Sequence, residues 1–426
     1  MVSMNTIFKR LRGKRILILG FGREGKSSLA FIQKYLPHAT IGVADKNAEA
    51  LKDLSGVAVY SGENYFDAIN DYDIVLKTPG ISLLGKDVDL SKITSQTDLF
   101  LEEFHSQIIG VTGTKGKSTT STLIYHLLKE SGRDAILAGN IGIPIFDIIE
   151  QITNKSIIVF ELSAHQLQYI HRSPHIGILL NVFEEHLDHF GTFEAYRDAK
   201  LNIIRKMGEA DWAVTSDEFC YEAEAMMVRA LSYQYYDFGV DWDAIPLKGE
   251  HNRLNVKAAL CAINAFGVPV DEVLPHLYTF QSLEHRQELV GTFGGVTFYN
   301  DSISTIPQAT IAALQTIKNV TFLLLGGYDR EIDYTPLIDY LKKNPVKHIL
   351  YTGKAGNRMY EMLQHAGYQG DIKNFKDLNE AFEIIKKLSE NGDVCLLSPA
   401  AASYDQYRNF EERGRFFKAL SKEFVA

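Results

Sequence analysis

Cysteine is scarce: Cys220, Cys261 and Cys395 are the only three in 426 residues, far apart and without a Cys-x-x-Cys pair. That excludes a disulfide scaffold and a structural zinc site, and it fits a reducing compartment. Long hydrophobic runs are missing as well. The longest, such as Ile157–Phe160 and Phe322–Leu325, are strand-sized and too short to cross a bilayer. Met1 to Arg15 is polar and basic, without the apolar stretch of a signal peptide. A cytoplasmic protein with no membrane insertion is therefore expected. There is no basic excess: 44 Lys and Arg against 53 Asp and Glu leave a net charge of −9. That excludes general affinity for nucleic acid or anionic membranes, while leaving room for a local phosphate pocket. Short-period repeats and low-complexity tracts are absent too. What is present, 46% hydrophobic and 23% charged residues, describes an ordinary globular chain, and the length predicts about three domains.

Short apolar runs alternate with helix-period segments throughout. Arg15–Gly20, Thr40–Asp45 and Asp73–Thr78 read as strands of a first series. Gln107–Thr112, Ser156–Leu162 and His175–Val182 form a second, and Val296–Asn300, Val320–Leu325, His348–Thr352 and Asp393–Leu397 a third. Alternation of this kind predicts parallel sheets joined by right-handed helical crossovers. Polar Asp87–Asp98 and Gln281–Gly295 mark the boundaries. The expected fold is α/β, in three domains spanning 1–97, 98–284 and 285–426.

Gly20-Phe21-Gly22-Arg23-Glu24-Gly25 follows a strand and opens a helix, and Asp45 ends the next strand. Glycines there permit a tight turn and close approach of a diphosphate, while the carboxylate suits a ribose hydroxyl. An NAD-dependent oxidoreductase is one reading; any ligand with a diphosphate and a ribose makes the same demand, and a ligand-free turn is the plain alternative. Gly113-Thr114-Lys115-Gly116-Lys117-Ser118-Thr119 leaves the strand Ile108–Thr112 and precedes a helix. Its backbone amides suit phosphate oxygens, Lys117 suits the β- and γ-phosphates, and the Ser118 hydroxyl suits Mg²⁺. The loop is the short form of the motif, with Val111 where a first glycine often stands. Two nucleotide-type loops exceed what a dehydrogenase needs.

Glu161 ends a buried strand on the same sheet edge as that loop, a position suited to Mg²⁺ or, more plainly, to an ion pair. Asn181 to His189 partly matches the His-x-His-x-Asp-His pattern of binuclear zinc hydrolases, but Glu184 replaces the first histidine. A second Mg²⁺ corner built on His186 is the better reading. Lys200, in Tyr196-Arg197-Asp198-Ala199-Lys200, reads as an ordinary helix lysine on residue chemistry alone. Asn252 and Asn255 share a helix face and suit either an adenine edge or N-capping. His285-Arg286 offers a cation to a phosphate or to solvent. Asn300-Asp301-Ser302 and Leu396 to Ser403 are small-residue turns at strand ends, where open α/β sheets place ligands.

Taken together, these segments resemble the Mur ligase family, and within it the branch that adds D-glutamate. The similarity runs the length of the chain, through Lys77-Thr78-Pro79-Gly80-Ile81, Gly139-Asn140-Ile141-Gly142, Glu161–Leu167 and a Leu-Ser-Pro-Ala…Asn-Phe-Glu-x-Arg-Gly ending at Leu396–Gly414. The resemblance implies a Rossmann-like N-terminal domain for the UDP of the substrate, a central P-loop ATPase-type mononucleotide-binding domain, and a dinucleotide-fold-like C-terminal domain for the amino acid. It implies ATP and Mg²⁺ as cofactors and D-glutamate and UDP-N-acetylmuramoyl-L-alanine as substrates, joined through an acyl phosphate in peptidoglycan precursor synthesis. It further implies no nucleic-acid partner and a monomer.

By the same resemblance, Lys117, Glu161, His186 and Lys200 are catalytic. Ser118 and Glu161 take one Mg²⁺; His186 and a carbamylated Lys200 serve the second. ATP falls to Gly113, Thr114, Lys115, Gly116, Lys117, Ser118, Thr119, Asn252, Asn255, Arg286 and Asp301. The UDP substrate falls to Gly22, Arg23, Glu24, Asp45, Lys46, Thr78, Gly80, Asn140 and Gln166, and D-glutamate to His186, Thr305, Arg330, Ser403 and Phe410. Two positions depart from the family pattern: Ile303 stands where a lysine usually follows Asp-Ser, and Arg330 where a lysine is common. A ligase for a different amino acid, and a nucleotide sensor without turnover, are the alternatives.

Overall fold

The computed structural model describes residues 4–139, 144–247, 249–280 and 284–425, with the Asp188 side chain left aside. The chain divides into two compact units, Met1–Phe280 and Gln281–Ala426. The first unit holds two sheets. One consists of β1 (Arg15–Leu19), β2 (Thr40–Asp45), β3 (Ala58–Ser61), β4 (Ile74–Lys77) and β5 (Ile93–Thr94), in the order β3-β2-β1-β4-β5 and parallel throughout. β4 is buried along its whole length and β1 along all but its first residue, which is why they read as continuous apolar runs. The chain reverses its direction of travel across the sheet between β1 and β4, which opens a crevice beyond their carboxyl ends. There the two loops touch: Gly20 has φ +94°, and a methyl group on it would collide with Thr78 Oγ1.

The second sheet contains β6 (Ile108–Thr112), β7 (Ala135–Gly139), β8 (Ile157–Glu161), β9 (Ile176–Leu179), β10 (Trp212–Thr215) and β11 (Arg229–Ser232), in the order β11-β10-β9-β6-β8-β7 and again parallel. β6 therefore lies between β8 and β9, so that the loops leaving these three strands converge. The two sheets share a core in which Phe31 stacks on Phe146 at 4.2 Å and Phe100 meets Phe160 edge-on at 5.7 Å.

The second unit carries β12 (Glu288–Phe293), β13 (Val296–Asn300), β14 (Val320–Gly326), β15 (His348–Thr352), β16 (Asp371–Asn374) and β17 (Val394–Leu397), in the order β12-β13-β17-β14-β15-β16. Its core has two parts, one around Leu323, Leu337 and Ile349, the other around Phe298, Phe382 and Phe417.

The three α/β sheets match the expected fold class, with one correction. The expected all-parallel pairing fails at β12, which runs antiparallel to β13 through the Gly294-Gly295 turn. Polarity made this segment read as a linker; it is an edge strand with only partly buried residues at most. The last helix begins at Phe410, because the Asn409 side chain accepts from Glu412 N and caps it there. No helix among the described residues is long and apolar enough to cross a membrane.

Candidate active site

The phosphate loop leaves fully buried β6 and enters the helix Lys117–Glu130 through Gly116, at φ +88°. The glycine is required: a methyl group there would lie 2.5 Å from Asn255 Oδ1. Asn255, on the helix Glu250–Ala265, also donates to Asn252 Oδ1 at 3.2 Å. The face that carries these two asparagines is thus turned to the phosphate loop. The N-cap of the Lys117–Glu130 helix is Gly116, which has no side chain to cap the first amides, and the helix start is suited to an anion. The loop is tied to the segment after β9: Lys115 N donates to Asn181 Oδ1 at 2.8 Å, Phe183 N to Thr114 Oγ1 at 2.9 Å, and the Lys115 ammonium pairs with Glu185.

Ser118 Oγ donates to Glu161 Oε1 at 3.1 Å, and Glu161 is buried at the end of β8. A hydroxyl and a carboxylate, both hard oxygen donors beside a phosphate loop, fit Mg²⁺. His186, at φ +58°, follows β9 and stands with its Nε2 3.9 Å from Glu185 Oε2. Lys200 projects from the helix Phe193–Arg205, which Thr192 caps by accepting from Ala195 N. Its ammonium donates to Gly113 O at 2.8 Å, as Lys117 does at 2.9 Å, and it lies 4.9 Å from the Tyr196 ring centre. Burial, reinforced by Lys117, holds the Lys200 pKa well below the ordinary lysine value. A lowered pKa favours the neutral amine, the form that can attack CO₂, and the resulting carbamate would turn this cation into a carboxylate-like metal ligand. Lys117, Glu185, His186, Tyr196 and Lys200 line a cavity of about 350 Å³, joined by Pro79 and Gly80 from the first sheet.

Seven of the nine residues expected to hold the UDP group lie along the first sheet's carboxyl edge. Gly22, Arg23 and Glu24 open the helix Arg23–Tyr35. Asp45 Oδ2 accepts from Phe21 N at 2.6 Å, so this carboxylate also shapes the glycine loop, with exposed Lys46 beside it. Thr78 Oγ1 donates to Leu19 O at 3.1 Å, and Gly80 lines the cavity. Burial pushes the Glu24 carboxyl up to about 7 and the Lys77 ammonium down to about 8, each partly offset by the other's charge. Gln166 Oε1 accepts from Ser163 N and Oγ, closing a capping box on the turn after Glu161. Asn140 lies outside the described residues.

In the second unit, Asp301 is sealed in. Its Oδ2 accepts from Ser398 Oγ at 2.7 Å, its Oδ1 from Gln287 N at 3.1 Å, and burial raises its pKa to about 6. Arg286 stands between two left-handed residues, His285 at φ +67° and Gln287 at φ +46°. Arg330 Nη2 donates to Thr305 O at 2.9 Å, which brings together two of the expected D-glutamate contacts. Ser403 is buried after β17, and Phe410 opens the last helix. His186, Asn252 and Asn255 belong to the first unit, whereas Arg286, Asp301 and the remaining D-glutamate contacts belong to the second.

Comparison with known proteins decides the family. The Mur ligase middle domain matches residues 111–244, and the Mur ligase glutamate ligase domain matches 285–401. The UDP-N-acetylmuramoylalanine--D-glutamate ligase of Symbiobacterium thermophilum is 36% identical over 411 residues, covering 88% of this chain and 90% of that one. Its counterpart in Acetivibrio thermocellus is 34% identical, with 98% of each chain covered. The chain belongs to the Mur ligase family. In fold, it superimposes on the MurF ligase of Thermotoga maritima, solved in complex with ADP, at a TM-score of 0.60, with 19% identity over 99% of this chain and 97% of that one.

Sequence reasoning left several residues of this Mur ligase's site unassigned. His165, Glu185 and Tyr196 all line the cavity. His165 packs 4.9 Å from His186 and 4.3 Å from His189, ring centre to ring centre. Burial, with the neighbouring histidines, brings its pKa down to about 3. The Ser163–Gln166 capping signature was the available signal, since it marks a helical turn after β8 that carries His165. Elsewhere, Asp211 accepts from His105 and His175 at 2.8 and 3.0 Å, but Arg172 already supplies the cation, 3.1 Å from Asp211 and 2.6 Å from His105. That cluster ties strand ends together on the edge opposite the phosphate loop.

Proposed function

We propose that this chain joins D-glutamate to UDP-N-acetylmuramoyl-L-alanine at the expense of ATP, a ligase step in making peptidoglycan precursors. The observation that carries the reading is the convergence after β6, β8 and β9. A phosphate loop lies between a hydroxyl–carboxylate pair, Ser118 and Glu161, and a histidine–lysine pair, His186 and Lys200, around a cavity that Pro79 and Gly80 border. Residues 1–97 take the UDP group, 98–284 take ATP, and 285–426 take the amino acid.

Amides at the start of the Lys117–Glu130 helix hold phosphate oxygens, and the Lys117 ammonium moves from Gly113 O and Thr114 O to the β- and γ-phosphates. Asn252, Asn255, Arg286 and Asp301 complete the ATP site. Mg²⁺, when bound, offsets charge on the transferring phosphoryl group. Ser118 and Glu161 hold one such ion. Lys200 Nζ bonds the carbon of CO₂ and loses a proton, and the carbamate joins His186 in serving a second ion. The substrate's terminal carboxylate takes the γ-phosphoryl group, and the amine of D-glutamate then displaces phosphate to leave an amide. His186, Thr305, Arg330, Ser403 and Phe410 receive the amino acid. Gly22, Arg23, Glu24, Asp45, Lys46, Thr78, Gly80, Asn140 and Gln166 receive the UDP-sugar. The enzyme works as a cytoplasmic monomer.

The test is phosphate release from ATP and Mg²⁺ with UDP-N-acetylmuramoyl-L-alanine, comparing D-glutamate with L-glutamate, L-alanine, glycine and no amino acid. Release that requires both the nucleotide sugar and D-glutamate is expected. Ile303 and Arg330 favour one second reading, a ligase of this family for a different amino acid, and release with another amino acid in the same assay would establish it.

A further inference from the structure

The ending Asn409-Phe410-Glu411-Glu412-Arg413-Gly414 carries a cation to which the reaction above gives no part. Arg413 is buried in the second unit at 4% exposure. Among the described residues it forms no ion pair; its acceptors are neutral. Nε donates to Ser302 Oγ at 3.0 Å, Nη2 to Ser302 O at 2.9 Å and Ala401 O at 3.1 Å, and Nη1 is 3.4 Å from Ala402 O. Ser302 follows β13, and Ala401 and Ala402 follow β17. Gly327 follows β14 and comes as close: a methyl group on it would lie 3.3 Å from Arg413 Nη1 and would strike Ala402 O. Since β13, β17 and β14 are neighbours in the sheet, one guanidinium gathers the carboxyl ends of three adjacent strands.

A buried charge is costly unless hydrogen bonds and nearby opposite charge compensate it, and here the Asp405 carboxylate offsets only part of the cost of burial, which leaves the Arg413 pKa lowered to about 10. The planar fork with five donors can span two loops at once, which a point-like ammonium cannot. Those loops lead directly to Ser403 on one side and, through Ser304, to Thr305 and Arg330 on the other. Phe410, one helical turn before Arg413, has its carbonyl held by Ser302 Oγ at 2.8 Å.

We propose that Arg413 is a positioning residue that preforms the amino-acid end of the site, fixing the Ser302 and Ala401–Ala402 loops so that Thr305, Ser403 and Phe410 face one incoming substrate. This rests on the reading that the C-terminal unit receives the amino acid.

The experiment compares the full-length wild type with Arg413→Lys and Arg413→Gln by phosphate release, measuring KM for D-glutamate, ATP and the nucleotide sugar separately, with Tm recorded for each protein. Expected is a rise of about tenfold or more in the D-glutamate KM for Arg413→Gln, a smaller rise for Arg413→Lys, and KM values for the other substrates within about twofold. Equal rises in all three KM values, or a lowered Tm with every KM unchanged, overturn the proposal. So does failure of both variants to fold, which would make Arg413 a structural requirement only. If the wild type turns over with a different amino acid, the D-glutamate assignment fails while the KM split is read on that amino acid. If no amino acid supports release, both readings fall.

Discussion

Ser118 and Glu161 meet at 3.1 Å, hydroxyl to carboxylate, although they are 43 residues apart and sit on different strand–helix junctions. The contact follows from β6 and β8 being parallel neighbours with Val111 opposite Glu161, so that the residues leaving both strands share one edge. If the pair holds Mg²⁺, Glu161→Gln keeps the shape and removes the charge. Turnover should fall by about 10²–10³-fold, in the range of losing one strong electrostatic contact to a transition state. A Mg²⁺ titration of phosphate release checks this; an unchanged Mg²⁺ requirement in the variant contradicts the assignment.

Lys200 is buried against Gly113 O with its pKa depressed by burial. Lys200→Ala should therefore lose most activity and regain part of it when a short carboxylate such as acetate is added, because the added carboxylate takes the place of the carbamate. Lys200→Arg should not be rescued by CO₂, since a guanidinium is always protonated and cannot attack it. Bicarbonate-dependent activity of the wild type after exhaustive degassing is the second readout. Activity indifferent to both carboxylate and CO₂ rules out the carbamate.

These two contacts mark where sequence reading succeeds and where it stops. Glu161 was legible because a carboxylate ending a buried apolar strand beside a Gly-Lys-Ser-Thr loop needs a partner. Lys200 was not legible, since nothing in Tyr-Arg-Asp-Ala-Lys distinguishes a buried lysine from a solvated one; only tertiary packing against Tyr196 and Gly113 does so. β2, β13 and β15 were legible to the residue because their burial contrasts with polar flanks. β12 was hidden, as an edge strand with no fully buried residue resembles a linker. His165 escaped for a related reason: a lone histidine in a short turn gives no sign that two more histidines close around it.

Asp301 supplies a pH test of the second unit. Burial raises its pKa from the ordinary 3.8 to about 6, so between those values the folded protein binds more protons than the unfolded one. Stability from this group is therefore present below about pH 4 and lost as pH rises through 6, by an amount on the order of 3 kcal/mol. Asp301→Asn removes the titration. The difference in unfolding free energy between variant and wild type should shift in favour of the variant as pH rises from 4 to 7, by urea denaturation. A difference independent of pH would mean that the carboxylate is not desolvated in solution.

Gly22 separates a ligand site from a bare turn. Its φ is −72°, an ordinary value, and a methyl group there would meet nothing within 4 Å. Gly22→Ala should consequently fold normally, with a stability change within about 0.5 kcal/mol, as for an exposed substitution without strain. Gly116→Ala is the contrasting case: the residue lies at φ +88° and a methyl group meets Asn255 at 2.5 Å, so strain and a displaced phosphate loop should weaken ATP binding by at least about tenfold. If a diphosphate approaches the backbone at Gly22, the added methyl occupies space that only the ligand needs. The KM for UDP-N-acetylmuramoyl-L-alanine should then rise while the Tm and the ATP KM stay put. An unchanged KM for the nucleotide sugar would leave the loop as a turn that the substrate does not touch, and would move the diphosphate towards Thr78 and Gly80 across the same crevice.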